Sequence, residues 1–178
     1  MLLFAHLGLA LATARFISKA HLAFLALGSM LPDIIDKPLG LIAFGSPNMG
    51  RTFAHTLLFL LLLAALSFYT RDVRLNSLSW GVLIHLALDS MWNSPVILLW
   101  PLLGTFPEAV RLDTLSYLEM LFSGLRDPGI LIPELLGLSY LIYFAYIWRG
   151  QISAGGQMLL ERPRKRAKAL LQTLFRGM

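Results

Sequence analysis

The chain has no cysteine. Disulfides, thiolate metal ligands and a cysteine nucleophile are therefore excluded. Charge is scarce as well: 14% of the 178 residues are Asp, Glu, Lys or Arg, against about a quarter in soluble domains. Hydrophobic residues make up 57% and mean hydropathy is +0.69. A water-soluble core cannot absorb that much apolar surface, whereas a bilayer can cover it. Histidine is limited to four residues, none after His85, and there are ten acidic residues. Any metal site must come from this short roster. Three motifs are missing: His-Glu-x-x-His, Gly-x-Ser-x-Gly and a glycine-rich phosphate loop. Their absence argues against a zincin protease, a serine hydrolase of the nucleophile-elbow type and a nucleoside triphosphatase.

What charge there is, is unevenly placed. Arg162, Arg164, Lys165, Arg166, Lys168 and Arg176 follow the last apolar segment, while the whole chain carries a net charge of +5. The remainder is thus close to neutral. The organisation reads as a membrane-embedded helical domain over residues 1–150 and a basic cytoplasmic tail over 151–178. A juxtamembrane basic cluster suits anionic lipid headgroups better than nucleic acid.

A spanning helix needs about 20 apolar residues. Residues 52–70 contain no Asp, Glu, Lys or Arg and meet this, as do 129–148 with Glu134 alone and 76–93 with His85 and Asp89. Residues 2–17 and 20–31 are apolar but short, which suits a tight helical pair. Residues 94–107 are interrupted by three prolines and carry Trp100 beside Trp92, the pattern of an interfacial segment. Residues 108–125 interleave Glu108, Arg111, Asp113 and Glu119 with apolar side chains, as an amphipathic interfacial helix does. The expected fold is all-α, a polytopic membrane bundle of about five membrane segments plus that interfacial helix.

Orientation follows from the positive charges. The chain is apolar from Met1, and Arg15 and Lys19 come only afterwards, the reverse of a cleaved signal peptide. Arg15 with Lys19, Arg71 with Arg74, and Arg149 with the tail fall inside if the N-terminus is outside and the C-terminus cytoplasmic. The same threading places His6, Asp33, Asp36, His55, His85 and Asp89 together at the outer face of a cell membrane. His21 falls at the other end with Lys19 and reads as structural.

These residues carry metal chemistry. His85 and Asp89 are four apart on one helix face and could hold one ion or bridge two. Such groups are costly inside a membrane and usually functional. Pro32-Asp33-Ile34-Ile35-Asp36-Lys37-Pro38 reads as a loop between two prolines, because each proline disfavours helix before it. It sets two carboxylates at the mouth of the bundle. His55 opens the third apolar segment, and Arg51 just before it suits an anionic substrate through its planar fork. The metal-ligand set is His6, Asp33, Asp36, His55, His85 and Asp89. Asp89 and Asp36 are the catalytic carboxylates, and Arg51 and Lys37 the substrate-binding cations. Imidazoles and carboxylates without thiolates fit Zn²⁺, with Mn²⁺ or Fe²⁺ as substitutes.

The runs His6-Leu7-Gly8, Gly28 through Pro38, Arg51 through Thr56, His85 through Asp89 and Pro95 through Pro101 resemble the YdjM-like membrane-bound metal-dependent hydrolases, over roughly residues 1–105. More distantly, the order His, Asp, His, then His-x-x-x-Asp is similar to zinc-dependent phospholipase C and related single-strand nucleases. That likeness implies one zinc on His55, His85 and Asp33 or Asp36, a second on His6, and Asp89 as the bridge. The further His-x-x-x-Glu that holds a third zinc in those enzymes is missing. The expected function is hydrolysis of a lipid or lipid-linked phosphate by metal-activated water. The rival readings are a metal or proton transporter and a scaffold stapled by metal. A transporter requires polar residues running on to the cytoplasmic side, and residues 52–70 have few.

Overall fold

A computed structural model of the chain describes residues 3–44, 50–107 and 112–149, and these form helices joined by turns and short irregular links, with no strand among them. The helices are α1 (Leu3–Thr13), α2 (Leu22–Phe44), α3 (Leu57–Thr70), α4 (Val73–Leu88), α5 (Pro95–Leu98), α6 (Thr114–Gly124) and α7 (Pro128–Arg149). Short 3₁₀ turns cover Ala14–Phe16, Phe53–His55 and Met91–Asn93. Contacts divide the chain into Met1–Tyr140, which holds every candidate site residue, and Leu141–Met178. The basic tail, Glu108 and Arg111 lie outside the described residues.

The all-α expectation holds. Among the described residues, α7 is the one helix both long and apolar enough to cross a membrane, while Leu3–Phe16, Leu57–Thr70 and Val73–Leu88 are apolar but shorter. Helix α2 has 23 residues, about 34 Å at 1.5 Å per residue. It has the length, but it carries Asp33, Asp36 and Lys37. Leu61, Leu62, Leu66 and Phe68 of α3 and Ile132, Leu135 and Leu136 of α7 are exposed. In water so much apolar surface would be a liability, and lipid removes the problem.

One expectation is overturned. Residues Pro32–Pro38 form no loop. They lie inside α2, prolines included. Each proline withholds a single helical hydrogen bond. Unwinding the turn in an apolar setting would strand several backbone groups, so the helix is the cheaper state. A Lys37–Asp33 pair at 2.8 Å, spaced i to i+4, spans the turn between the prolines. The 52–70 helix also starts late. Asp36 captures the amides of Thr52, Ala54 and His55, and the Thr56 hydroxyl caps α3 by accepting from Phe59 N at 3.0 Å. Helix α4 stops at Leu88, and Ser90 just beyond Asp89 takes the left-handed conformation with φ 51°. In the expected amphipathic segment, helix begins at Thr114, capped by Asp113.

Helices α2 and α4 run side by side in the same direction. His21 N meets Ser77 Oγ at one end of the pair, and His85 meets Ser29 further along. Between these points Gly28 lies against the Leu78 backbone, and Gly81 against Leu25, Gly28 and Ser29. A Cβ on either glycine would overlap a main-chain atom. Small residues of this kind let membrane helices touch backbone to backbone. Behind the crossing, Leu60, Val82, Leu86 and Met91 form the buried apolar core. The Pro95–Leu98 turn packs on it through Ile97 and Leu98.

Gly81→Val should therefore force α2 and α4 apart and cost about 1–3 kcal/mol or more, as overpacked cores do. Thermal unfolding in detergent, compared with the exposed change Leu62→Val, measures this.

Candidate metal centre

His85 is fully buried, and its Nδ1 lies 2.7 Å from the Ser29 carbonyl oxygen. A carbonyl only accepts, so this nitrogen carries the proton. His55 is also fully buried, and its Nδ1 donates to Asp36 Oδ2 at 2.8 Å. In the neutral form of each ring the lone pair then lies on Nε2. These two Nε2 atoms face each other at 3.2 Å. Two acceptors at that distance repel unless a cation lies between them.

Asp36 is a supporting group in this arrangement. It is completely buried and accepts from Thr52 N, Ala54 N and His55 N at 2.7, 3.1 and 3.2 Å, as well as from the His55 ring. It thus sits on the Nδ1 side of His55, away from the His85 contact. Carboxylate–histidine pairs of this type fix the ring orientation and raise its basicity as a ligand.

The other two carboxylates are built alike. Asp33 Oδ1 lies 3.7 Å from His55 Nε2 and its Oδ2 holds Lys37 Nζ at 2.8 Å. Asp89 Oδ1 lies 3.2 Å from His6 Nε2 and its Oδ2 holds Arg51 at 2.9 Å. Each turns one oxygen inward to an imidazole and one outward to a cation. Those cations, Lys37 and Arg51, have side chains 43% and 46% exposed, so they form the rim. The His6 ring stands edge-on to His85, with centroids 4.1 Å apart, and its Nδ1 has no hydrogen-bond partner among the described residues.

Two triads have ligand atoms within 4.8 Å of one another: His6, His85 and Asp89, and Asp33, His55 and His85. All six residues expected at the site are brought together, five as candidate ligands and Asp36 behind His55. They come from the start of α1, the second half of α2, the turn before α3 and the end of α4. Arg15, Lys19, Arg71 and Arg74 sit at the opposite connections. Because Nδ1 of His85 is committed, only one lone pair remains, and the triads cannot both use it at once. Sequence reading missed the Ser29 carbonyl, since a backbone acceptor leaves no residue-type signal. It also missed the tight crossing at Gly28 and Gly81, for which the glycines themselves were the available clue.

An all-helical membrane fold with a buried His/Asp cluster at one end defines the class. The chain belongs to the YdjM inner membrane protein family, which matches residues 1–155. This supports a cell-membrane location. No curated protein and no solved structure matches the chain.

Asp36→Ala would strand three buried amides and the His55 ring. Each unpaired buried donor costs about 1–3 kcal/mol, so the variant should lose several kcal/mol of stability. Asp36→Asn should lose less, because its amide oxygen still accepts. Chemical denaturation of the two variants in detergent separates these outcomes.

Proposed function

We propose that this protein is a membrane-embedded metal-dependent hydrolase, a phosphoesterase acting on a lipid or lipid-linked phosphate. The observation that carries the reading is the pair of His55 and His85 Nε2 atoms facing at 3.2 Å, each with its proton held on Nδ1 by an acceptor. This donor set fits a divalent metal, and imidazoles with carboxylates fit zinc best among the common ions. Two sets of this chain's residues could hold it, His55 and His85 with Asp33, or His85 with His6 and Asp89. When bound, such an ion supplies Lewis acidity and a water acidified to near neutral pKa.

The single remaining lone pair of His85 favours one ion over the two bridged by Asp89 that the phospholipase likeness implies. Asp89 Oδ2 is also engaged by Arg51. The chain's own groups divide the remaining work. Asp36 holds the His55 tautomer, and the Ser29 carbonyl holds that of His85. Arg51 and Lys37, half-exposed at the rim, would take phosphate oxygens, Arg51 through a planar fork. Asp89 links the rim to the cluster and would be the carboxylate that handles the proton of the attacking water. A site set in lipid favours a lipid substrate, since a soluble one gives no reason to embed it. In this reading the chain crosses the membrane about five times with its N-terminus and site outside and its C-terminus cytoplasmic.

A transporter is the weaker reading. The Gly28–Gly81 crossing closes the α2–α4 seam with backbone-to-backbone contact one turn from His85, which counts against an ion path along that seam.

Purified wild-type protein should carry one zinc-like divalent ion per chain, and His85→Ala should carry none, as read by elemental mass spectrometry. Phosphate or phosphoalcohol release from mixed phospholipid micelles should fall by at least ~100-fold in Asp89→Ala with its fold intact. Full release by Asp89→Ala would sink the hydrolase reading.

A further inference from the structure

Helix α1 supplies one side chain to the cluster, His6, and at 11 residues it is too short to be stable alone. Contacts on its far side fix its depth and rotation. Phe4, Gly8 and Leu11 are spaced by four and three residues and so form one stripe. His6 is two residues from Phe4, about 200° round the helix at 100° per residue.

Helix α7 holds all three positions of that stripe. Phe4 N, one of the orphan amides at the start of α1, donates to Glu134 Oε2 at 3.0 Å. Gly8 meets Gly137 backbone to backbone, and Gly137 also lies against Phe4 and Ala5. Tyr140 Oη donates to the Leu11 carbonyl at 3.3 Å. Glu134, Gly137 and Tyr140 are three apart and share a face of α7. Glu134 is the sole acidic residue of α7 and is 5% exposed. Its Oε1 is buried without a hydrogen-bond partner among the described residues. A carboxylate in an apolar helix is costly, and one amide offsets only part of that cost.

We infer that Glu134 is a positioning residue for the metal centre: by holding the Phe4 amide it sets the register of α1 and aims His6 at His85 and Asp89. The inference rests on the metal reading above, with His6, His85 and Asp89 as the set that holds the ion. A slip of one residue would move His6 by about 1.5 Å and turn it by about 100°. That is enough to remove it from a cluster whose ligand atoms lie within 4.8 Å.

Co²⁺ titrated into the full-length protein in detergent micelles tests this, with affinity and visible absorption as readouts. His6→Ala should weaken Co²⁺ binding by roughly tenfold or more and change the absorption band, as loss of a ligand does. Glu134→Leu should reproduce both effects, and Glu134→Gln, which keeps an acceptor for Phe4 N, should restore wild-type behaviour. The double variant His6→Ala/Glu134→Leu should bind no worse than His6→Ala, because Glu134 acts through His6. If Glu134→Leu fails to fold, Tyr140→Phe decides, since it removes the hydroxyl that holds the Leu11 carbonyl. A weakened Co²⁺ affinity supports the clamp, and a wild-type affinity overturns it. Wild-type Co²⁺ affinity and spectrum in Glu134→Leu, or additive losses in the double variant, overturn the role of Glu134 while leaving the metal reading standing. A wild-type protein that takes up no Co²⁺ overturns both.

Discussion

Two imidazole nitrogens that face each other as acceptors are the constraint around which this structure is arranged. His55 and His85 each give their Nδ1 proton to a buried acceptor, Asp36 and the Ser29 carbonyl. Each is thereby left with a lone pair aimed at the other. Keeping two such groups 3.2 Å apart in a buried site requires a positive charge between them and a scaffold that does not yield. The scaffold is the close packing of α2 on α4 at Gly28 and Gly81, which presents the Ser29 carbonyl to His85. Asp36 performs the equivalent task for His55, and its three backbone amides also shape the turn that leads into α3.

The outer groups follow from this centre. Asp33 and Asp89 each divide their oxygens between a histidine inside and a cation at the rim. Lys37 and Arg51 are therefore tied to the cluster and also half-exposed. In the proposed hydrolase these two half-exposed cations would be the first groups an anionic substrate meets, with the imidazoles and carboxylates buried behind them. Helix α7 takes part from behind. Its contacts with α1 reach His6 through the backbone and place no side chain in the cluster.

Much of this was legible in the sequence, for a physical reason. In a chain so apolar, each ionisable group inside a helix stands out, and alternating helix direction gathered His6, Asp33, Asp36, His55, His85 and Asp89 at one end. The reading failed at Pro32–Pro38, where a rule learned from water-exposed chains was applied to a helix in apolar surroundings. In water an unwound turn is solvated and costs little, whereas here it would strand its polar backbone. The division of labour between Asp33 and Asp36 was also hidden. Both sit on the same stretch of α2, and only the packing of the 52–56 turn shows that Asp36 is consumed by backbone amides while Asp33 keeps an oxygen for His55. Glu134 was visible as an acid in an apolar segment, but its partner is a main-chain amide 130 residues away.

X-ray absorption at the metal edge of the protein purified with its bound ion tests the central claim most directly. A divalent ion coordinated by at least two imidazoles, with metal–nitrogen distances of about 2.0–2.1 Å for zinc, is the expected result. The imidazole signature should be lost when His55 and His85 are replaced. Absence of any stoichiometric metal, or a metal with no imidazole in its coordination shell, would contradict the account.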